Sequence, residues 1–212
     1  MDKIEMYKTL KESTHFDRKE ARIENKKILT HVNGFANAEG GILVLGISDS
    51  GNITGCKAYE GKRAEEIKRL INNSITPTID FEVYEIDIED DYIIEIDVQP
   101  KTDSVVFIRD SGEVYLRQSD KTDKLKHDRI LALQYDKGQR SYEDEINQRF
   151  DTDDFNTDLF DKYREVMNSD ISNEDILNIR TGSIKKGYPN SAILLFAKNP
   201  DTYINNSSGR CF

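Results

Sequence analysis

Tryptophan is absent from this chain, cysteine occurs twice and proline four times among 212 residues. Two cysteines, Cys56 and Cys211, cannot build a disulfide framework or, by themselves, a zinc site, so a reducing, cytoplasmic setting is expected. Long apolar runs are missing too. The longest, Ile42 to Ile47, contains a glycine and is far too short to span a bilayer, and no charged-then-apolar leader opens the chain, so no membrane is expected as a partner. The phosphate-loop pattern G-x-x-x-x-G-K-[ST] does not occur. Gly182 to Gly187 has its glycine spacing but continues Tyr-Pro, so no ATP site is evident. No serine sits in a nucleophile elbow, which argues against a Ser-His-Asp hydrolase, and His15, His31 and His127 lack metal-ligand spacing. His31 reads as a surface or internally satisfied histidine.

A hydrophobic fraction of 36% supplies enough apolar material for one medium domain and a smaller one. The net charge of −10 is unevenly distributed. Asp80 to Asp97 carries nine acidic residues and no basic one, and Glu143 to Asp175 carries twelve acidic against three basic, leaving 27 basic against 19 acidic residues elsewhere. A basic face on an acidic protein is therefore allowed, while the run from Asp80 to Asp97 reads as a solvated face.

Ile4, Tyr7 and Leu10 mark a short helix over residues 3 to 11. Ile28, Leu29, Val32, Phe35 and Ala36 recur at helical spacing, so a longer helix from about Ile23 presents one apolar face to a sheet. Asn37 to Gly41 ends it, with Gly40 and Gly41 as a structural turn. Ile42 to Ile47 then reads as a strand covered on both faces. Asp49-Ser50-Gly51 closes that strand. A carboxylate just beyond a strand's carboxyl end is well placed for chemistry, and Asp before Ser-Gly is equally ordinary turn composition. Ala64, Ile67, Leu70 and Ile71 mark another amphipathic helix. Tyr84 to Ile88 and Ile94 to Val98 alternate apolar residues with Glu85, Asp87, Glu95 and Asp97, as in a hairpin with one wet face turning at Glu89-Asp90-Asp91. Val105 to Ile108 and Glu113 to Arg117 look like a second pair, and a further helix begins at Lys124. The expected fold is α/β (α+β): a mixed, largely antiparallel sheet flanked by helices over residues 1 to 138, then a small, mostly helical segment over 139 to 212. In that segment Phe160, Tyr163 and Val166 suggest one helix and Ile176, Leu177 and Ile179 another.

The stretch FANAEGGILVLGISDSGNITG, Phe35 to Gly55, resembles the core motif of the Schlafen AlbA-like domain, a divergent AAA-type domain of bacterial transcriptional-regulator-type proteins, with its FANT-x-GG-x-L-x-IG and G-x-I-x-G pattern. Glu12 to Lys19 is similar to that family's E-S-x-x-x-E-F-K segment, Ile75-Thr76-Pro77 to its I-x-P, and Val114 to Ser119 to its Y-x-R-x-G-S ending. Asn190 to Pro200 resembles the LLLFG-x-x-P strand that follows the domain in longer relatives labelled RecG-like helicases. In those relatives a GHKL-type ATPase module comes later. Arg210-Cys211-Phe212 would begin another strand, so a missing ATPase domain is expected, and homo-oligomer formation is left open.

The resemblance implies a nucleic-acid-binding module, for RNA or DNA. For nuclease members it implies a three-carboxylate centre whose roles fall on Glu12, Asp17 and Asp49, holding Mg²⁺ or Mn²⁺ and cutting structured RNA such as tRNA. Hard divalent ions prefer carboxylate oxygens and activate water beside phosphate. Asp17 stands where the pattern has Glu, and Arg18 where it has Phe, an arginine that favours binding over cleavage. Lys19 matches the motif lysine, and Arg117, Ser119, Lys121 and Lys124 are expected to contact backbone phosphates. Lys62, Arg63, Lys68 and Arg69 read as ordinary solvated residues. A third reading is an interaction or nucleotide-sensing module in which the Gly40-Gly41 turn approaches a phosphate.

Overall fold

The computed structural model describes residues 3–173, 175–177 and 187–204. Ile179, Gly182 and the stretch Arg210 to Phe212 lie outside the described residues. The chain divides into two units, Met1–Gln139 and Arg140–Phe212.

In the first unit, α1 (Lys3–Thr9), β1 (Phe16–Lys19), α2 (Asn25–Asn37), β2 (Gly41–Leu45) and α3 (Ala64–Ser74) are followed by β3 (Ile75–Thr76) and the hairpin of β4 (Phe81–Ile88) and β5 (Asp91–Val98). Next come β6 (Phe107–Ile108), β7 (Tyr115–Gln118), β8 (Lys121–Lys124) and α4 (His127–Asp136). The main sheet has the order β1-β2-β5-β4, with β1 parallel to β2 and the other pairs antiparallel. This is the mixed, mostly antiparallel sheet with flanking helices that the pattern predicts.

β2 is apolar throughout because both of its faces are covered. Leu43 and Leu45 join Ile28, Val32, Phe35 and Ile67 in the main core, whereas Val44 packs with Tyr7, Phe16 and Ile93 on the opposite face. Period-two alternation along β1 has the same consequence: Phe16 faces the smaller core, and Asp17 lies on the other side of the strand. Ala38 ends α2, and Gly40 follows at φ +78°.

Two asparagines of α2 do the work of an extra strand. Asn37 donates from Nδ2 to the Val106 carbonyl (2.8 Å) and accepts from the Val106 amide at Oδ1 (2.8 Å), while Asn33 accepts from the Tyr115 amide at 2.7 Å. Both side chains are buried, so these bonds satisfy polar groups that water does not reach and fix β6 and β7 against the helix. The motif asparagine is thus structural.

Several local expectations change. β6 pairs with β3, and β7 with β8, in place of a β6–β7 pair, although the Ile108 amide still donates to the Glu113 carbonyl. Lys121 to Lys124 is strand, so α4 starts later than its composition suggests. Glu95 is not on a wet face: α1 covers it, with the Tyr7 hydroxyl and the Lys3 ammonium each 2.6 Å from Oε2. Lys62 is buried rather than solvated, and its ammonium donates to Asn25 Oδ1 at 2.7 Å. Burial pushes the Cys56 thiol up to about 12, which leaves it unreactive at neutral pH.

The second unit contains α5 (Thr157–Met167), the pair β9 (Ile146–Asn147) and β10 (Tyr188–Pro189), and a helix over Asn190–Phe196. That last helix replaces the expected strand. Ala192, Ile193 and Phe196 turn inward at helical spacing, and the Phe196 ring stacks on Phe160 at 4.2 Å between centroids. Among the described residues no helix is long and apolar enough to cross a membrane.

Gly40 and Gly41 have a structural cause. A Cβ on Gly40 would lie 2.7 Å from the Val98 carbonyl, and one on Gly41 would lie 2.6 Å from the Phe35 ring and 2.8 Å from the His15 carbonyl. The close approach belongs to the protein's own backbone. Gly41→Val is expected to lower stability by roughly 1–3 kcal/mol, read as a lower midpoint of urea unfolding. An unchanged midpoint would show that the turn relaxes freely.

Candidate nucleic-acid interface

Asp17 and Lys19 sit two residues apart on β1 and so share one face of the strand. Lys19 Nζ lies 3.0 Å from Glu12 Oε1, 2.9 Å from Asp17 Oδ1 and 3.0 Å from Asp49 Oδ1. The three carboxylates matched by motif therefore converge on one point, and the lysine ammonium occupies it.

Asp17 is fully buried. Its second oxygen, Oδ2, faces Arg117 Nη1 at 2.5 Å and His31 Nδ1 at 3.2 Å. Burial by itself would raise the Asp17 pKa, but the hydrogen bond and charge of His31, followed by those of Lys19, outweigh it and hold the carboxyl well below the usual carboxylate range. Burial would likewise lower the Lys19 pKa, and its bonds to Asp17, Asp49 and Glu12 raise it instead. Both groups stay charged at neutral pH.

Arg117 is buried and directed inward. Its guanidinium donates to the Ser13 carbonyl through Nε (3.0 Å) and Nη2 (2.9 Å), to the Phe16 carbonyl (3.1 Å) and to Thr122 Oγ1 (3.3 Å), and lies over the Phe35 ring. The expected phosphate contact from Arg117 is thus replaced by a structural one, which fastens β7 to the start of β1. Arg18 is likewise unavailable to a ligand. It faces the α1 side, where Nη1 donates to the carbonyls of Tyr7 (2.7 Å), Lys8 (2.9 Å) and Leu10 (3.0 Å), satisfying the open end of that helix, and Nη2 donates to the Asp49 carbonyl at 2.9 Å. The departure from the motif phenylalanine therefore positions the Asp49 loop.

A cleft of about 450 Å³ opens beside this cluster, between the first half of α2 and the β7–β8 hairpin. Lys19, Lys26, Lys27, His31, Arg117 and Thr122 line it, together with the acidic Glu12, Asp17, Glu24 and Asp120. Lys26 and Lys27 are exposed and have no acidic partner among the described residues. Gly34 permits the close approach of hairpin and helix, since a Cβ there would meet Thr122 Cγ2 at 2.5 Å. In the hairpin, Ser119 is exposed in the turn at φ +55° and Lys121 is exposed beside it. Lys124 is drawn to Glu113 at 2.6 Å, a hydrogen bond that takes the Glu113 carboxyl down to about 2.

Glu12, Asp17, Asp49 and Lys19 thus come together as matched, Ser119 and Lys121 lie on the neighbouring hairpin, and Lys124 is engaged elsewhere. Lys26 and Lys27 were not singled out by sequence, and His31 was read only as a surface or internally satisfied histidine. The pairing of His31 with Asp17 spans fourteen positions and leaves no local signal, whereas the exposed Lys26-Lys27 doublet at the start of an amphipathic helix is a readable one.

The carboxylates offer suitable donors for Mg²⁺ or Mn²⁺. Their common point is filled by Lys19, however, and the other Asp17 oxygen already faces two further cationic or ring-nitrogen donors. A metal at that point and Lys19 in its observed position exclude each other. Among the described residues no group of three or more His, Cys, Asp or Glu side chains is arranged to hold a metal ion.

The family model described as Schlafen, AlbA_2 matches residues 12–126, just over half of the chain, and the chain belongs to that family. No curated protein matches it. A similar solved structure is that of the DIP2311 protein from Corynebacterium diphtheriae, 17% identical, with a TM-score of 0.48. The match covers 85% of this chain and 35% of that one, so the present chain spans about a third of that protein's length.

Asp17→Asn is expected to lower stability by about 3 kcal/mol, because it leaves Arg117 and Lys19 facing a neutral group in a buried site. The pH dependence has a definite sign. A carboxyl whose folded pKa is depressed contributes its full stability above its unfolded value of about 4 and loses it as pH falls toward the folded value. Urea unfolding between pH 7 and pH 3 is expected to show a steeper fall for the native chain than for Asp17→Asn. Equal slopes would remove Asp17 as the group responsible.

Proposed function

We propose that residues 12–126 form a nucleic-acid-binding module that receives a phosphate backbone in the cleft between α2 and the β7–β8 hairpin. The observation that carries this reading is the grouping of Lys26 and Lys27, free of acidic partners among the described residues, around a cleft with the Lys19 ammonium beside it. Phosphate contacts from lysine supply most of the affinity in sequence-independent binding, and Lys121 on the hairpin extends the basic rim. Membership of the Schlafen AlbA_2 family supports the same reading. A place in a cytoplasmic, transcriptional-regulator-type protein is consistent with the family resemblance and with the scarcity of cysteine.

Binding to tRNA or to short duplex DNA is expected to weaken steeply with added salt, and Lys26→Glu with Lys27→Glu is expected to cost about tenfold or more in affinity at low salt. The assay is a mobility-shift titration. No retardation at low ionic strength, or an unchanged affinity in the double variant, would overturn the assignment.

A second reading, a Mg²⁺- or Mn²⁺-dependent endoribonuclease, draws on the convergence of Glu12, Asp17 and Asp49. For this reading Lys19 has to leave their common point. It requires that tRNA be cut with Mn²⁺ present and left intact with chelator, and that Asp49→Asn abolish cleavage while preserving binding. Cleavage by Asp49→Asn at the native rate would end it. The nucleotide-sensing reading loses its geometric basis, since the Gly40-Gly41 turn is packed against Val98, Phe35 and His15.

A further inference from the structure

We infer that Lys19 is a built-in substitute for a divalent cation: its ammonium occupies the common point of the Glu12–Asp17–Asp49 cluster, so that the native chain leaves Mn²⁺ unbound there, and removing the ammonium opens a metal site. The inference concerns the same cleft as the proposed nucleic-acid reading and refines it to metal-independent binding.

The geometry is that of one cation with three anionic oxygens, all within 2.9–3.0 Å of Nζ. The ammonium donates hydrogen bonds to Glu12 Oε1 and Asp49 Oδ1 and forms an ion pair with the buried Asp17 Oδ1, which has no hydrogen-bond partner of its own among the described residues. The lysine is tethered to β1 two residues from Asp17, so the cation is always supplied at the site and needs no free metal. The side chain is only 23% exposed, held in place from three separate segments: the residues before β1, β1 itself and the loop after β2.

Without the ammonium, Arg117 and His31 still face one Asp17 oxygen, while the other three oxygens converge on an uncompensated point. Divalent ions bind carboxylates at roughly 2.0–2.2 Å, closer than an ammonium does, so the ligands must draw inward by nearly 1 Å. Asp49, 74% exposed, and Glu12, 27% exposed, have room for this movement, and Asp17 is already placed.

The test uses the full chain with Mn²⁺ as the probe, and free Mn²⁺ is read by its electron paramagnetic resonance signal. Lys19→Met, which keeps the length of the side chain and removes its charge, is expected to bind one Mn²⁺ at least about tenfold more tightly than the native chain. Adding Asp49→Asn to Lys19→Met is expected to remove the gain. If Lys19→Met does not fold alone, Mn²⁺ at about 1 mM is expected to restore its far-ultraviolet circular dichroism. Native chain binding Mn²⁺ as tightly as Lys19→Met would overturn the inference, as would a folded Lys19→Met that gains no affinity or an unfolded one that Mn²⁺ does not rescue. A parallel mobility shift of tRNA by the native chain, with and without chelator, separates the two ideas. Retardation lost with chelator sinks the metal-independent part, whereas no retardation at all sinks the nucleic-acid reading and leaves the Mn²⁺ result standing.

Discussion

The buried carboxylate of Asp17 is the constraint around which this domain is organised. An ionised carboxylate in a buried site is unfavourable by several kcal/mol unless opposite charge is paired with it. Here Lys19 meets one oxygen, and Arg117 and His31 meet the other. Each partner comes from a different element: Lys19 from the same strand, His31 from α2 and Arg117 from β7. Satisfying one charge therefore fixes the relative placement of β1, the long helix and the β7–β8 hairpin. The cleft exists between the latter two.

The same economy appears in the residues that depart from the family motif. Arg18 replaces a phenylalanine, yet it lies on the opposite side of β1 from Asp17, where it closes the end of α1 and holds the Asp49 backbone. Gly51 allows that loop to pass α1, since a Cβ there would lie 2.3 Å from the Lys8 carbonyl. Asp49 is thus exposed as a side chain and fixed as a backbone. A carboxylate in that condition can shift toward a ligand while its loop stays in place.

Charge in this protein follows position more than total. The acidic hairpin of β4 and β5 is separated from β1 and its cationic side chain by β2, with β4 at the far edge of the main sheet. One of its acids, Glu95, is buried against Tyr7 and Lys3 and serves to dock α1. The net charge of −10 therefore does not describe the cleft, where Lys19, Lys26, Lys27 and Arg117 stand with Glu12, Asp17, Glu24 and Asp120.

Local pattern was sufficient for much of the fold. Helical spacing from Ile28 to Ala36, the doubly apolar strand after Gly41 and the acidic hairpin all depend on neighbours within a few residues, and the three carboxylates came from motif order along the chain. What no local pattern carried was who meets whom. Arg117 and Asp17 are one hundred positions apart, so the role of that arginine as an internal counter-charge, instead of a phosphate contact, arises only when β7 is laid against the start of β1. The pairing of β3 with β6 and the helical form of Asn190–Phe196 have the same origin: short apolar segments suit either structure, and the packed neighbours choose. Whether the three carboxylates surround a vacant point or an ammonium was settled by the side on which Lys19 emerges from its strand, and by the two distant segments that close over it.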